Sequence, residues 1–216
     1  MSELIVKGVI AYLLGSLVGS LLIGAIRGVD IRKLGSGNAG ATNALRTQGK
    51  AIGLTVLIID LAKGWLATAW LAPASLPWVA PAGEALHAWA IPVCGLLVML
   101  GHIYPVWFQF RGGKGVATLV GVILGISASL LLAFVATFFA TVILLGYVGL
   151  ASILGTVAVA ASVALGHLEP HAPLLTFAVL AALLVIFTHR GNIARMRAGT
   201  EPRSKRLWLF RPRETA

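Results

Sequence analysis

Apolar residues run along this chain in blocks too long for the half-buried helices of a water-soluble domain. The first block extends from Leu4 to Ile26, the second from Ile52 to Leu71 and the third from Leu86 to Gly101. About 20 apolar residues cross the hydrocarbon core of a bilayer, so each block predicts one transmembrane helix. Gly15 and Gly19, beside Ser16 and Ser20, predict a close helix-packing face on the first. That block is too long for a cleavable signal peptide and lacks a small-x-small site followed by a hydrophilic start. On the second, Asp60 and Lys63 lie three residues apart, share a face and can neutralise each other. Pro73, Pro77 and Pro81 mark the connection that follows.

From Gly115 to Leu168 there is no Asp, Glu, Lys or Arg. Continued to Thr188, the stretch amounts to on the order of 110 Å of helix, about four membrane thicknesses. Breaks are expected near Leu132, at Gly146 to Gly149 and from His167 to Pro173, giving four short crossings here and seven in all, while two long helices with re-entrant pieces would keep the same parity. The chain reads as an all-α integral membrane protein, a seven-transmembrane-helix bundle forming a single domain over residues 1–216. Composition agrees. Of its 216 residues 58% are hydrophobic and 11% charged, with a mean hydropathy of +0.93, whereas soluble domains carry about a quarter charged residues. A soluble monomer and a disordered chain are excluded. The single cysteine, Cys94, excludes an internal disulfide and any cysteine-based metal site.

The net charge of +10 gains its meaning from position. With the N-terminus outside, the inner loops hold Arg27, Arg32, Lys33, Arg46, Lys50, Arg111 and Lys114. A basic cytoplasmic tail, residues 196–216, completes the inner face, and its Arg203, Lys205, Arg206, Arg211 and Arg213 follow Arg190 and Arg195. The outer connections near 72–85 and 167–172 hold no Lys or Arg. Positive charge gathers on the cytoplasmic side of membrane proteins, so the C-terminus is expected inside. Only Lys7 and Lys63 depart from the pattern. The same charges attract anionic lipid headgroups, and nucleic acid is not an expected partner because no basic domain stands apart from the membrane. Trp208, Leu209 and Phe210, between Arg206 and Arg211, suit an interfacial anchor.

Three inner-face segments carry more chemistry than a connecting loop needs. Gly35-Ser36-Gly37-Asn38-Ala39-Gly40-Ala41-Thr42-Asn43, closed by Arg46, joins glycines that let N–H groups converge on an anion to hydroxyl, amide and guanidinium donors. It is a phosphate-suited loop, but Ala41 stands where the P-loop needs its lysine, so a nucleoside triphosphatase is not expected. Gly101 to Gly115 sets Lys114 between glycines where a helix begins, and helix N-termini favour anions. Its aromatic run, Tyr104, Trp107, Phe108 and Phe110, is expected to serve both as an interface belt and as a binding box, since an acyl chain would enter at that depth. His189-Arg190-Gly191-Asn192-Ile193-Ala194-Arg195, with Gly199-Thr200-Glu201 beyond, follows an apolar helix directly. A charged flank accounts for its arginines better than for His189, Asn192 and Glu201.

The segments GSGNAGATNALR (35–46), GHIYPVWFQFRGGKGVAT (101–118) and HRGNIARMRAGTE (189–201), together with DLAKG (60–64), resemble the signature motifs of the membrane glycerol-3-phosphate acyltransferases that use acyl phosphate, the PlsY family. The likeness covers nearly the whole chain, in order and spacing. It implies a seven-helix bacterial inner-membrane enzyme, with no cofactor, that makes 1-acyl-glycerol 3-phosphate (lysophosphatidic acid) and inorganic phosphate on the cytoplasmic side. It also implies a partner, the soluble acyltransferase that produces acyl phosphate. By that resemblance Gly35, Ser36, Gly37, Asn38, Gly40, Thr42 and Asn43 hold the acyl-phosphate headgroup, and Arg46, Lys114, Ser152, His189 and Asn192 hold glycerol 3-phosphate. The resemblance also implies a catalytic group of His189, Lys114 and Arg46. The family often shows an arginine and a serine where Gly146 and Gly149 stand here.

An acyl phosphate is a mixed anhydride with a good leaving group, so the enzyme mainly has to align a hydroxyl with the carbonyl and stabilise developing charge. No Ser-His-Asp arrangement stands out, which favours direct transfer over an acyl-enzyme. The seven acidic residues are scattered singly, so no metal site is expected. Either His189 or a substrate phosphate oxygen can take the hydroxyl proton. A transporter or channel for a phosphorylated solute is the rival reading, and it lacks both an internal repeat and polar residues leading to the outer face. An acyltransferase using acyl-carrier protein or acyl-CoA is a nearer rival, but the soluble-type HxxxxD pattern is absent from the motifs.

Overall fold

The computed structural model describes residues 2–80, 82–204 and 207–210. Among them every regular element is helical. In chain order these are α1 (Ser2–Ser16), α2 (Gly19–Ile26), α3 (Ala41–Gln48), α4 (Lys50–Trp65), α5 (Glu84–His87), α6 (Ala90–Ile103), α7 (Val116–Ile126), α8 (Ala128–Leu145), α9 (Val148–Leu165), α10 (His171–Thr188) and α11 (Arg190–Arg197). A π-helical run, Leu66–Leu71, extends α4.

Five stretches are long and apolar enough to cross a membrane: Lys50–Leu71, Glu84–Phe108, Ala128–Leu145, Val148–Leu165 and His171–Thr188. A sixth is formed if α1 and α2, bent by 50° at their junction, count as one crossing. Large apolar side chains such as Ile58, Leu132, Leu165 and Leu183 are exposed on the bundle's outside, where hydrocarbon would cover them. The breaks expected at Gly146 to Gly149 and from His167 to Pro173 fall between Leu145 and Val148 and between Leu165 and His171. The break expected near Leu132 instead falls at Ser127, whose hydroxyl accepts the Ser129 N–H to cap α8. This shift leaves α7 with 11 residues, about 16 Å of helix and roughly half a hydrocarbon core.

Helix pairs α1–α6, α4–α7, α8–α9 and α9–α10 make the main contacts. The α4–α7 crossing depends on two glycines, since a Cβ at Gly64 would collide with the Thr118 carbonyl and one at Gly121 with the Leu61 carbonyl. The packing face expected on the first helix also exists, with Gly15 lying against the Val98 backbone and Gly19 against Ile59.

The two lysines that depart from the charge pattern are each buried against a carboxylate. Lys7 Nζ lies 3.2 Å from Glu3 Oε1 and donates to the Ala72 carbonyl at 2.8 Å. Glu3 Oε2 accepts the Ala82 N–H at 2.7 Å, so the pair fastens the connection after α4 to the start of α1. Lys63 pairs with Asp60 at 3.0 Å, as their spacing predicts. Of the prolines expected in this connection, Pro81 lies outside the described residues, as do Lys205, Arg206, Arg211 and Arg213 of the tail.

Candidate active site

One cavity of about 920 Å³ opens among the helices. The three polar segments, far apart in sequence, all reach it. Gly35, Ser36, Gly37, Asn38, Gly40, Thr42, Asn43 and Arg46 line it from the first, Lys114 from the second, and His189 and Asn192 from the third. Ser152 joins them from α9. Every residue expected at the site by sequence therefore borders the same space.

Helix starts dominate its polar wall. Ala41 and Thr42 begin α3, Val116 and Ala117 begin α7, Val148 and Gly149 begin α9, and Gly191 and Asn192 follow Arg190 in the first turn of α11. The first turn of a helix presents N–H groups without intrahelical partners and carries partial positive charge. Four such first turns border the cavity, an arrangement suited to anions.

The first loop is held in shape by Asn43. Its Nδ2 donates to the carbonyls of Ile31 and Leu34 at 3.2 and 3.0 Å, and its Oδ1 accepts the Ser36 N–H at 3.0 Å. Both amide hydrogens are thus spent on the protein, so Asn43 shapes the loop around the cavity and has no N–H left to offer a ligand. Arg32, which sequence reasoning counted only as inner-face charge, ties the first two segments together. It forms a two-pronged pair with Asp30 at 2.9 and 3.0 Å and donates to the Phe108 and Arg111 carbonyls at 3.0 and 3.1 Å. That guanidinium holds the Asp30 carboxyl below its ordinary pKa.

The third segment builds a chain of polar contacts to the second. Lys114 Nζ donates to Asn192 Oδ1, and Thr188 Oγ1 donates to the Lys114 carbonyl at 3.2 Å. Asn192 Nδ2 donates to Glu201 Oε1 at 2.5 Å, while Arg195 Nε pairs with Glu201 Oε2 at 2.7 Å. Burial lowers the Lys114 pKa to about 8, helped by the Arg195 charge and opposed by Glu201. Burial, with the Lys114 charge beside it, lowers that of His189 to about 4. His189 is therefore a neutral imidazole near pH 7. Its Nδ1 lies 2.9 Å from the Val185 carbonyl and is the nitrogen that carries the hydrogen, leaving the Nε2 lone pair free. The Ser152 hydroxyl donates to its own helix at Val148, 2.9 Å away.

Gly146 and Gly149, expected to depart from the family's pattern, both have close neighbours. At Gly149 a Cβ would press on the Asn192 side chain, with contacts of 2.9 to 3.0 Å, so glycine lets Asn192 lie flat on α9. At Gly146, where φ is +81°, a Cβ would stand 3.0 Å from both Arg203 and Trp208. Arg203 stacks on Tyr147 and Trp208, 4.7 and 4.2 Å from the ring centroids, and the Ser204 N–H donates to the Gly146 carbonyl at 2.8 Å. The expected anchor residues Leu209 and Phe210 are exposed beside this contact, while Arg206 and Arg211 lie outside the described residues.

One expectation for the apolar side needs correcting. None of Tyr104, Trp107, Phe108 and Phe110 borders the cavity. The 3-10 turn Val106–Phe108 and left-handed Gln109 and Phe110 carry that run outward, and Trp107 and Phe110 are exposed. The apolar wall comes instead from Val120 of α7 and from Phe134, Val135, Phe138 and Phe139 of α8. Phe139 is also 46% exposed, so this wall reaches the outer surface of the bundle. Sequence reasoning missed these residues, since an aromatic in a wholly apolar helix looks the same whether it faces lipid or cavity. Glu201 left a clearer trace as a lone acid in a basic run.

The sequence profile of the glycerol-3-phosphate acyltransferase family matches residues 5–199. The glycerol-3-phosphate acyltransferase of Geotalea daltonii is 46% identical over 198 residues, covering 91% of this chain and 95% of its own. That of Staphylococcus carnosus is 39% identical over 203 residues, covering 93% and 96%. In three dimensions the chain resembles PlsY, an integral membrane glycerol 3-phosphate acyltransferase, crystallised in its glycerol 3-phosphate form. The TM-score is 0.80 at 34% identity, over 93% of this chain and 94% of that one. The lysophosphatidic acid form of PlsY superimposes with a TM-score of 0.78. With a profile spanning nearly the whole chain and kinship agreeing in sequence and shape, this multi-pass membrane protein belongs to the glycerol-3-phosphate acyltransferase family, the PlsY family.

Proposed function

We propose that the protein moves a fatty acyl group from acyl phosphate to the sn-1 hydroxyl of glycerol 3-phosphate, giving 1-acyl-sn-glycerol 3-phosphate and inorganic phosphate in phospholipid synthesis. The observation that carries the reading is the joining, in one cavity, of four helix N-terminal turns and three basic side chains, Arg46, Lys114 and Arg195, to an aromatic wall that reaches the bundle's outer surface. That pairing suits two phosphorylated reactants, one of which has a chain that must stay in lipid. It does not suit a solute path, which would need polar lining through to the other face. The ligand forms of the related PlsY structures fit the same chemistry.

In this reading Gly35, Ser36, Gly37, Asn38, Gly40 and Thr42, on a loop shaped by Asn43, receive the acyl-phosphate headgroup. Arg46 and Lys114 supply positive charge, and Ser152, His189 and Asn192 orient glycerol 3-phosphate. Its hydroxyl oxygen attacks the acyl carbonyl, a new C–O ester bond forms, and the C–O bond to phosphate breaks. The hydroxyl proton passes to an oxygen of the departing phosphate. His189 Nε2 accepts a hydrogen bond from the attacking hydroxyl and aligns it. Charge growing on the carbonyl and leaving oxygens meets donors already in place. The transfer is direct and requires no metal.

The chain crosses a bacterial inner membrane seven times, counting α1–α2 as one crossing and the short α7 as another. Its N-terminus lies outside and its C-terminus and cavity face the cytoplasm, where the soluble producer of acyl phosphate is its partner. The test is a donor assay on purified protein. Acyl phosphate should support lysophosphatidic acid formation, with or without a metal chelator, while acyl-CoA and acyl-carrier-protein thioesters should not. Product from either thioester alone, or loss of turnover on chelation, would reject the corresponding part of the reading.

A further inference from the structure

Set into the cavity wall is a polar cluster to which the proposed mechanism gives no task. Asp60, Lys63 and His102 are 0, 3 and 2% exposed. Lys63 Nζ stands 3.0 Å from both Asp60 Oδ1 and His102 Nδ1. It also donates to the carbonyls of Gly15 and Leu17 at 2.7 and 3.2 Å. Asp60 Oδ1 accepts the Gly19 N–H at 3.1 Å. Those carbonyls and that amide sit on either side of the α1–α2 break, where helical partners run out. A charge pair on α4 thus mends a gap in another helix.

His102 extends the cluster to the site. Its Nδ1 lies within reach of both partners, 3.0 Å from Lys63 Nζ and 3.4 Å from Asp60 Oδ1. Nε2 faces Gly113, where a Cβ would collide with it and would lie 2.9 Å from the Ala39 carbonyl oxygen. The His102 and Ile103 carbonyls accept the Gly113 and Gly112 N–H groups at 3.1 and 3.0 Å. The backbone just before Lys114 therefore lies flat against the imidazole, with the first loop's Ala39 beside it. Asp60 and His102 both border the cavity, and Asp60 Oδ2 has no hydrogen-bond partner among the described residues. Buried ion pairs join helices no better than well-packed apolar side chains do. What this one adds is a fixed arrangement.

We propose that Asp60, Lys63 and His102 are positioning residues. Through the mended break, the imidazole and the Gly112–Gly113 backbone, they set where Lys114 stands and hence how tightly the cavity holds the phosphate of glycerol 3-phosphate. The proposal rests on the reading of Lys114 as a ligand of that substrate. The experiment measures kcat, both KM values and the melting temperature of His102→Ala, His102→Asn, Asp60→Asn and Lys114→Ala in lipid nanodiscs. His102→Ala should raise the KM for glycerol 3-phosphate about tenfold and leave kcat and the acyl-phosphate KM within about threefold. His102→Asn, whose amide oxygen can take the Lys63 hydrogen bond, should restore most of that loss. A lowered melting temperature with both KM values unchanged would make the cluster a brace only and overturn the proposal. Should His102→Ala fail to fold, the isosteric Asp60→Asn decides: it must raise the same KM, and an unchanged value overturns the proposal. If Lys114→Ala leaves that KM unchanged, the ligand role of Lys114 falls and this inference with it. If Lys114→Ala raises it while the His102 and Asp60 variants do not, the positioning role alone is wrong.

Discussion

Lys114 occupies a site that works against its charge, and its pH behaviour should show it. Burial and the Arg195 guanidinium bring its pKa to about 8, so the free enzyme loses this cation as pH climbs through that value. The kcat/KM for glycerol 3-phosphate should fall above about pH 8, steepening towards tenfold per pH unit. Lys114→Arg should lack this limb, because a guanidinium stays charged. A pH–rate profile from 6 to 10 on both proteins checks it, and an identical limb in the variant would contradict the assignment. At this scale the sequence was most readable where a polar side chain interrupts apolar or glycine-rich surroundings, as Lys114, His189 and Asn192 do. It was silent where role depends on direction. Asn43 reads like Asn38 or Thr42, yet its amide turns inward to Ile31, Leu34 and Ser36. Phe134 and Phe138 gave no sign of which side of α8 they face.

Among the helices, the limits that sequence marks with glycine, proline or histidine came out where expected, at 146–147 and 166–170. The break at Ser127 was displaced from the expected position because two serines in an apolar run are a weak signal, and only the capping contact between them reveals it. The bend between α1 and α2 was hidden for another reason: its carbonyls find their donor on α4, some 46 to 48 residues away. Close crossings give the firmest prediction for whole elements. Gly121→Val would force α7 from α4, where even a Cβ meets the Leu61 carbonyl. The cost should exceed the roughly 1–3 kcal/mol of ordinary overpacking. Thermal unfolding in detergent should show a large loss for this variant, or no folded protein. Gly83→Ala, with nothing within 4 Å of its Cβ, should melt like the parent, and equal melting of the two variants would refute the crossing.

Over the whole molecule, the distribution of charge sets the proposed orientation, and the two buried lysines do not disturb it because each is paired with a carboxylate. Labelling with a membrane-impermeant maleimide in a Cys94→Ser background tests it. Ser75→Cys, in the connection after α4, should react in intact cells, whereas Thr200→Cys, just beyond α11, should react only after the membrane is opened. The reverse pattern would invert the topology. The unequal lengths of α7 and α8 carry a consequence for supply and delivery. With 11 residues beside 18, α7 is roughly 10 Å shorter than α8, which in the proposed topology sinks the floor of the reaction chamber within one leaflet. In the proposed reaction the water-borne reactant descends to meet a greasy one that keeps its depth. The newly made lysolipid then drifts sideways into the bilayer it is destined to enlarge, without its tail ever touching water.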